Sequence, residues 1–353
     1  MYFNTKLMQI VVLGLSPQGL ALLRAYARSG FSVVAVGFPE DVGIYSRYGK
    51  VVVIHHCSEV PMVLSRFARS GCKIHITSDI MLNYIIDSLV ELFDIYNISP
   101  PLNAAILLRD KAETYKYFSV YGVIACPKSY TLNDSINWHF PVIAKWNRTN
   151  RVTSFKTATI ESHKDLTKYR YIDGLIFQEY IEAERSSNVS YCGYYENGTK
   201  KIDALVCQKR QYPIGISSCV VLLGNEHRIV IDVSRRILED LRFDGFVEIE
   251  YRISSLDQKY YLIEVNPRAC GWIKFLMPSF SHKILGNSSE KFNSKKVWIN
   301  IIRDIRAIWH SKEMSLNNLR MYFREYFIDS IKDIYDVKDF KPFLFQFFKR
   351  LKK

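Results

Sequence analysis

The stretch GFVEIEYRISSLDQKYYLIEVNPR, residues 245–268, holds two runs of alternating apolar and polar residues around a short polar turn. Such alternation reads as two antiparallel strands, FVEIEYRI and KYYLIEV, joined through Ser254 to Gln258. Side chains two apart on a strand share a face. Glu264, Asn266 and Arg268 therefore stand in a row on the second arm, and Glu250 stands on the first. The spacing of 14 between Glu250 and Glu264 lets a strand leave, turn and return, so both carboxylates can face one cavity beside Asn266. Two carboxylates and an amide oxygen are hard donors. They suit Mg2+, which takes few protein ligands and keeps room for water and phosphate oxygens.

A phosphate site also needs cations. Lys145 ends the apolar strand FPVIAKW just before a polar loop, where it can reach a phosphate chain as a point charge. Lys111 follows Arg109-Asp110 at the start of a helical segment and is the second candidate. The run FQEYIEAE offers an extended segment to lie along a purine. Gln178 precedes the main chain of Glu179, Tyr180 and Ile181, which would read the adenine edge, and Glu182 or Glu184 would meet the ribose hydroxyls. Taken singly, each of these residues reads as an ordinary surface charge or turn. Their order along one chain is what gives them weight.

Outward from this region, the first hundred residues alternate strand and helix, which predicts a parallel sheet with helices on both faces. The turn GLSPQG, residues 14–19, has the outline of a damaged G-x-G-x-x-G. A dinucleotide would want an acid near the end of the second strand, and Glu40 and Asp41 lie there. A tight strand-to-helix turn without a ligand, or a substrate contact, is favoured over a dinucleotide site. Pro100-Pro101 marks a boundary. Antiparallel material follows it, including a hairpin turning at Asn197-Gly198. The fold class is thus α/β followed by α+β. We divide the chain into residues 1–99, residues 100–280 with a small lobe to 182 and a large lobe from 183, and a basic helical region, 281–353.

Seven cysteines are scattered with no C-x-x-C pair, which argues against zinc and a disulfide framework and for a reducing compartment. The run MQIVVLGLSPQGLALL is interrupted by Ser16-Pro17-Gln18 and reads as strand and helix, not as a signal sequence. No apolar stretch reaches the length of a membrane span. Of the net charge of +13, residues 281–353 carry +8, from 16 Lys/Arg against 8 Asp/Glu. They end in FKPFLFQFFKRLKK. Packed helices with solvated lysines are one reading. A basic aromatic surface for anionic lipid or an acidic glycan is the other. No nucleic-acid motif accompanies the charge, so nucleic acid is not expected as a partner.

The succession Lys111, Lys145, Gln178-Glu179-Tyr180-Ile181, Glu250 and Glu264-Val265-Asn266-Pro267-Arg268 closely resembles the ATP-grasp superfamily, over residues 7–280. Its most specific part is GFVEIEYRI with YYLIEVNPR. The resemblance implies a Rossmann-like pre-ATP-grasp lobe, a two-lobed ATP-grasp fold and a helical C-terminal tail. It implies that Glu250, Glu264 and Asn266 hold two Mg2+ ions, with Mn2+ as a substitute, between the phosphates of ATP. Lys111 and Lys145 then bind phosphate and adenine. Residues 178–181 and Glu184 line the nucleotide, and Arg268 and Arg210 serve catalysis. The segment KRQYPIGISS, with Arg210 and Gly215, is similar to a substrate loop of the carboxylate–amine ligases of the D-aspartate ligase and carbamoyl-phosphate-synthase-like type. Those enzymes make an acyl phosphate that an amine attacks. The implied substrates are small-molecule or glycan-linked carboxylates and amines. The implied setting is cytoplasmic, with a peripheral contact of the tail at an anionic membrane and a homodimer as an option. Another ATP-grasp chemistry such as carboxylation, or a non-catalytic ATP-binding module, is the alternative. One departure stands out: the loop NRTNRVTSFK, residues 147–156, has no glycine where the family often has a glycine-rich flap. Arg148, Arg151 and Lys156 would cover phosphates by charge instead.

Overall fold

The computed structural model describes residues 8–132, 138–148, 155, 157–184, 187–213, 215–284, 295–311 and 316–351. The first strands are short and apolar, as parallel strands covered on both faces must be. They are β1 Gln9–Leu13, β2 Ser32–Gly37, β3 Lys50–Val53, β4 Lys73–Ile76 and β5 Asn97–Ser99, all parallel, in the order β3-β2-β1-β4-β5. Helices α1 Pro17–Arg28, α2 Val60–Phe67, α3 Asp79–Ser88 and α4 Leu92–Ile95 connect them. The strand order reverses between β1 and β4, so the loops after those two strands flank the crevice of the sheet.

The glycines of the first turn are there for packing. Gly14 has φ +98°, and a Cβ on Gly19 would come within 1.9 Å of the Gly14 carbonyl oxygen. Asp41, the acid a dinucleotide would need, is turned onto the turn itself. Its Oδ2 accepts from the Leu15 amide at 3.1 Å and the Phe38 amide at 3.0 Å.

After the proline boundary, α5 Leu102–Arg109 and α6 Lys111–Ser119 lead into a small antiparallel sheet. Its strands are β6 Ser129–Tyr130, β7 Val142–Trp146, β8 Thr157–Ile160 and β9 Leu175–Glu179, in the order β6-β9-β7-β8, with the one-turn helix α7 His163–Leu166 against it. Trp138, Val142, Ala144, Ile160, Leu166 and Phe177 form its core.

The large sheet begins with β10 Asn188–Glu196 and β11 Thr199–Gln211, turning through Asn197 and Gly198, both at positive φ as a tight hairpin turn demands. It continues with β12 Ser217–Leu222, the amphipathic helix α8 Arg228–Asp240, and the hairpin β13 Gly245–Ile253 and β14 Tyr260–Asn266. One face packs on α5, α6 and α8 through Tyr191, Tyr251, Ile237 and their neighbours. The other face is covered only in part, where Cys192, Tyr194 and Phe246 meet α1 and the segment around Trp272. Further along that face, Glu250 and Arg252 of β13 lie opposite Ser190 and Asn188 of β10.

The described residues from 281 on are mostly helical, as expected: α9 Met277–Ile284 leads in, and α10 Ile301–Ser311, α11 Leu316–Arg324 and α12 Lys341–Leu351 follow. They also hold two strands that the helical reading missed. β15 Val297–Ile299 pairs antiparallel with β12, and β16 Ser330–Lys332 pairs parallel with β15, giving the order β14-β13-β10-β11-β12-β15-β16. Three-residue strands are too short to show a period in sequence. This region also reaches back to the first lobe. Arg24 of α1 is buried and donates to the Asp339 carboxylate at 2.8 Å and to the Ile334 and Asp339 carbonyls. Asp339 also accepts from Ser46 Oγ and the Arg47 amide.

Removing one partner of a buried ion pair leaves the other charge uncompensated. Asp339→Ala should therefore lower the unfolding free energy by about 3 kcal/mol. Arg28→Ala, which breaks the more exposed pair with Asp336, should cost less than about 1 kcal/mol. Urea denaturation measures both, and equal losses would show that the Arg24 pair does not anchor the C-terminal region.

Candidate active site

The hairpin register creates the site. Glu248 lies directly opposite Asn266, and Glu250 directly opposite Glu264. Strand alternation turns all four side chains to one face. The Asn266 amide nitrogen donates to Glu248 Oε2 at 3.2 Å and to Glu250 Oε1 at 3.1 Å. Trp272 Nε1 holds the other Glu248 oxygen at 2.8 Å. Glu248 was not among the residues singled out from sequence. The signal was present, since it stands two residues before Glu250 in the same alternation.

The ladder slips by one residue after Glu250, so Tyr251 faces Leu262 and Ile263 is the extra residue of a bulge. The Ile263 carbonyl takes two donors from outside the ladder. Lys145 Nζ lies at 3.0 Å and the Tyr115 hydroxyl at 2.5 Å, and Lys145 itself donates to Tyr115 at 2.6 Å. Lys145 is thereby carried from β7 of the small lobe onto the acidic hairpin. Burial pulls its pKa down to about 7, and Lys111 adds to the fall while Glu264 and Glu250 oppose it. Tyr115 was another residue not singled out. Its phenol is driven well up by burial, then by Glu264, and it is hydrogen-bonded by the buried Gln178 of β9.

Lys111 is the first residue of α6, whose N-cap Asp110 accepts from the Glu113 amide. Its ammonium lies 3.2 Å from Glu264 Oε1. Asp110 also accepts from Asn147 Nδ2 and Arg148 Nε, both at 3.0 Å, which ties the helix start to the end of β7. Arg151 and Lys156 of the glycine-free loop lie outside the described residues.

Arg268 faces the first lobe. Its guanidinium forms a two-pronged pair with Asp79, both contacts 2.6 Å, and reaches Asn266 Oδ1 at 3.2 Å. Burial works against its charge, but Asp79 outweighs burial and raises its pKa. Asp79 opens α3 after β4, beside the crevice between β1 and β4.

The other predicted residues spread outward. Glu179 is folded onto its own lobe, accepting from the Lys128 amide at 2.7 Å. Tyr180 is largely exposed. The Ile181 carbonyl accepts from Arg252 of β13 at 3.3 Å, and Glu184 is exposed further along. Residues 178–184 thus form the passage from small sheet to large sheet. Arg210 lies elsewhere: it grips Asp304 of α10 with two bonds, 2.9 and 2.7 Å, and pairs with Glu325 at 2.9 Å. A row of polar side chains crosses the sheet from the hairpin. Arg252 donates to Asn188, Asn188 to Gln208, and Gln208 to Ser217 Oγ. Asn188 and Gln208 were not singled out from sequence either.

Among the described residues, no group of three or more His, Cys, Asp or Glu is drawn together around a metal position. The donors on offer are the carboxylates of Glu250 and Glu264 and the amide oxygen of Asn266, a set that fits a hard divalent cation.

No protein-family profile matches the chain, and no curated protein matches it. Solved structures do. N5-carboxyaminoimidazole synthetase from Staphylococcus aureus is 17% identical, with 88% of each chain covered and a TM-score of 0.65. Carboxyaminoimidazole ribonucleotide synthase from Aspergillus clavatus, complexed with ATP, is 14% identical, with 84% of this chain and 82% of that chain covered and a TM-score of 0.65. The biotin carboxylase domain of Hydrogenobacter thermophilus 2-oxoglutarate carboxylase is 11% identical, with 81% and 72% covered and a TM-score of 0.62. These enzymes are ATP-grasp proteins. Likeness at such identities speaks for architecture, and the architecture this chain shares with them over most of its length is the ATP-grasp fold.

Proposed function

We propose that the chain is an ATP-dependent carboxylate–amine ligase that works through an acyl phosphate. The observation that carries this reading is the convergence of Lys111 and Lys145, from two separate elements, on the hairpin of Glu250 and Glu264, Lys111 at the Glu264 carboxylate and Lys145 at the Ile263 carbonyl. Three structural neighbours add support. One is complexed with ATP, another with ADP, and a third with MgADP and bicarbonate. Glu250, Glu264 and Asn266 would hold Mg2+, as one ion or two, which would supply charge neutralisation for the phosphates.

The protein's own groups do the rest by position and charge. Lys111 and Lys145 approach the phosphates as point charges. Residues 178–181 and Glu184 line the nucleotide along the passage between the lobes. A substrate carboxylate oxygen attacks the γ-phosphorus, the bond to ADP breaks, and an acyl phosphate forms. Arg268 faces the acyl phosphate. The amine nitrogen then attacks the acyl carbon, phosphate leaves, and the nitrogen gives up its proton. No protein nucleophile is required. Arg210, occupied by Asp304 and Glu325, shapes the far end of the large sheet in this scheme.

The acceptor is the finer part of the proposal. The row Arg252–Asn188–Gln208–Ser217 offers amides and a hydroxyl on the cleft face. Groups that both donate and accept suit a polyhydroxylated, acidic sugar or a glycan precursor. The seven cysteines are all unpaired, which fits a cytoplasmic enzyme at the inner face of a membrane. A second reading is carboxylation. Bicarbonate, which is bound to the biotin carboxylase neighbour, would then be the carboxylate, and the same residues would serve.

Glu264→Gln should keep the fold and reduce Mg2+-dependent ADP release at least about a hundredfold. The assay is ADP release across a panel of carboxylates, including bicarbonate, and amines. Turnover by the variant at the wild-type rate would remove Glu264 from the metal role. ADP release that needs bicarbonate alone would favour carboxylation.

Lys145 predicts a pH effect with a definite sign. With its pKa at about 7 in the free protein, the lysine is charged below pH 7 and neutral above. A phosphate placed beside it favours the charged form and raises that value. Binding above pH 7 must therefore take up a proton, so ATP affinity should fall as pH rises from 7, by up to about tenfold per unit. Calorimetry in buffers of different ionisation enthalpy measures the uptake. Lys145→Met should bind more weakly and lose the dependence; a variant that keeps it would place the proton elsewhere.

A further inference from the structure

We propose that the outward face of α10, α11 and the π-helical turn Glu325–Asp329 is a docking surface for an anionic lipid bilayer. Ile305, Trp309, Phe323, Phe327 and Ile328 are each more than half exposed, Trp309 at 73%. Ile305 and Trp309 are four apart on α10 and share a face. Phe323 and Phe327 are also four apart, with ring centroids 4.6 Å from each other. The two elements lie side by side, because Tyr326 of the turn donates to Asp304 of α10 at 2.9 Å and Arg210 bridges Asp304 and Glu325. Scattered single apolar residues on a surface are ordinary. Five large ones on three adjoining elements are not.

The charges sort in the direction a bilayer would select. Asp304, Glu325 and Asp333 of this region are buried. Asp304 is taken up by Arg210, Ser218 and Tyr326, Glu325 by Arg210 and Lys209, and Asp333 by Asn300. The cations Arg306, Arg320 and Arg324 are exposed, and Arg324 shares its charge with Asp329. Among the described residues of these elements, Asp304 and Glu325 face in, while Arg306, Arg320 and Arg324 are exposed. Arg306 and Arg324 are next in sequence to the exposed Ile305 and Phe323, and Arg320 stands three residues before Phe323. Aromatic and aliphatic side chains seated at the headgroup boundary, with arginines beside them, are the chemistry of interfacial attachment to anionic lipid. A second copy of the chain is a poorer occupant, since a two-fold contact would set these arginines against their own images. The docking face stands on this exposed chemistry alone. Its link to the ligase reading is one of place: the polar row from the hairpin ends at Ser217, whose carbonyl Arg303 of α10 approaches at 3.5 Å. A membrane-carried acceptor would enter from that end.

The test is co-sedimentation of the full chain, without nucleotide, with vesicles of phosphatidylcholine alone or mixed with phosphatidylglycerol. The protein should pellet with the anionic vesicles, weakly with neutral ones, and less at high salt. Trp309→Ser combined with Phe327→Ser should lower the partition at least about tenfold. Both residues are exposed, so the melting temperature and ADP release should stay as in wild type. Arg306→Glu with Arg320→Glu should have a similar effect on anionic vesicles only. Absence of pelleting with anionic vesicles would overturn the proposal, as would equal pelleting of wild type and the aromatic double variant. A dimer in sedimentation velocity that the aromatic substitutions dissolve, with no vesicle binding, would overturn it in favour of a second copy. A failed ligase assay would leave the vesicle result unaffected.

Discussion

Glu248, Glu250 and Glu264 sit within one hydrogen-bonded patch of a two-stranded hairpin, and that much negative charge on a partly buried face has to be balanced. The hairpin carries little that can do so. Arg268 is turned away to Asp79, and Arg252 is tied to Asn188 and Ile181. The balance therefore comes from elsewhere in the chain: Lys111 from the start of α6 and Lys145 from the small sheet. Each cation is fixed by backbone geometry. The N-cap of α6 aims one, and the bulge at Ile263 leaves a carbonyl that anchors the other. These contacts thus fix where the small lobe stands over the acidic hairpin.

The same logic runs through the other junctions. Arg268 and Asp79 join the hairpin to the first lobe, Lys73 pairs with Asp244 at 2.5 Å just before β13, and Arg24 with Asp339 joins the first lobe to the C-terminal region. Where two lobes meet, an ion pair lies close to the apolar contact. Apolar burial gives the larger driving force but little orientation. A two-pronged arginine–carboxylate pair has a defined plane and distance, so it sets how one lobe stands against the next. In the proposed ligase Arg268 would have two tasks, holding the first lobe and meeting the acyl phosphate, and a substrate anion would compete with Asp79 for it.

How far the sequence speaks depends on the range of the interaction. Strand alternation is local, so the hairpin, Glu264 with Asn266 and the opposed Glu250 are legible from residues 245–268; Arg268 breaks the expected row, because β14 ends at Asn266 and the guanidinium beyond it turns to Asp79. The βα lobe was legible for the same reason. Glu248 was equally legible in principle and was passed over because Glu250 alone satisfied the spacing. Tyr115 had no local signal: its place at Lys145 depends on α6 packing against β14, which no window of sequence contains. The bulge at Ile263 was hidden too, since one extra residue does not disturb the apolar pattern around it. β15 and β16 were too short to carry a period. Arg210 read as a cleft residue because its neighbours resemble a substrate loop. Its guanidinium is instead filled by Asp304 and Glu325, which lie about a hundred residues further on.

That last arrangement bears on how the large sheet is finished. β11 and β12 end in a turn next to Arg210, and without β15, β16 and the helices around them the outer strand β12 would present an open edge. Adding two strands closes that edge, but it also brings Asp304 and Glu325 beneath the helices, where buried carboxylates need partners. Arg210 and Lys209 supply them from β11. Asp304 and Glu325 are thereby used internally, while the described arginines Arg306, Arg320 and Arg324 are left on the outer surface. The basic character of that surface therefore follows from how the sheet edge is closed, and the composition of the tail shows it only after the buried acids are set aside.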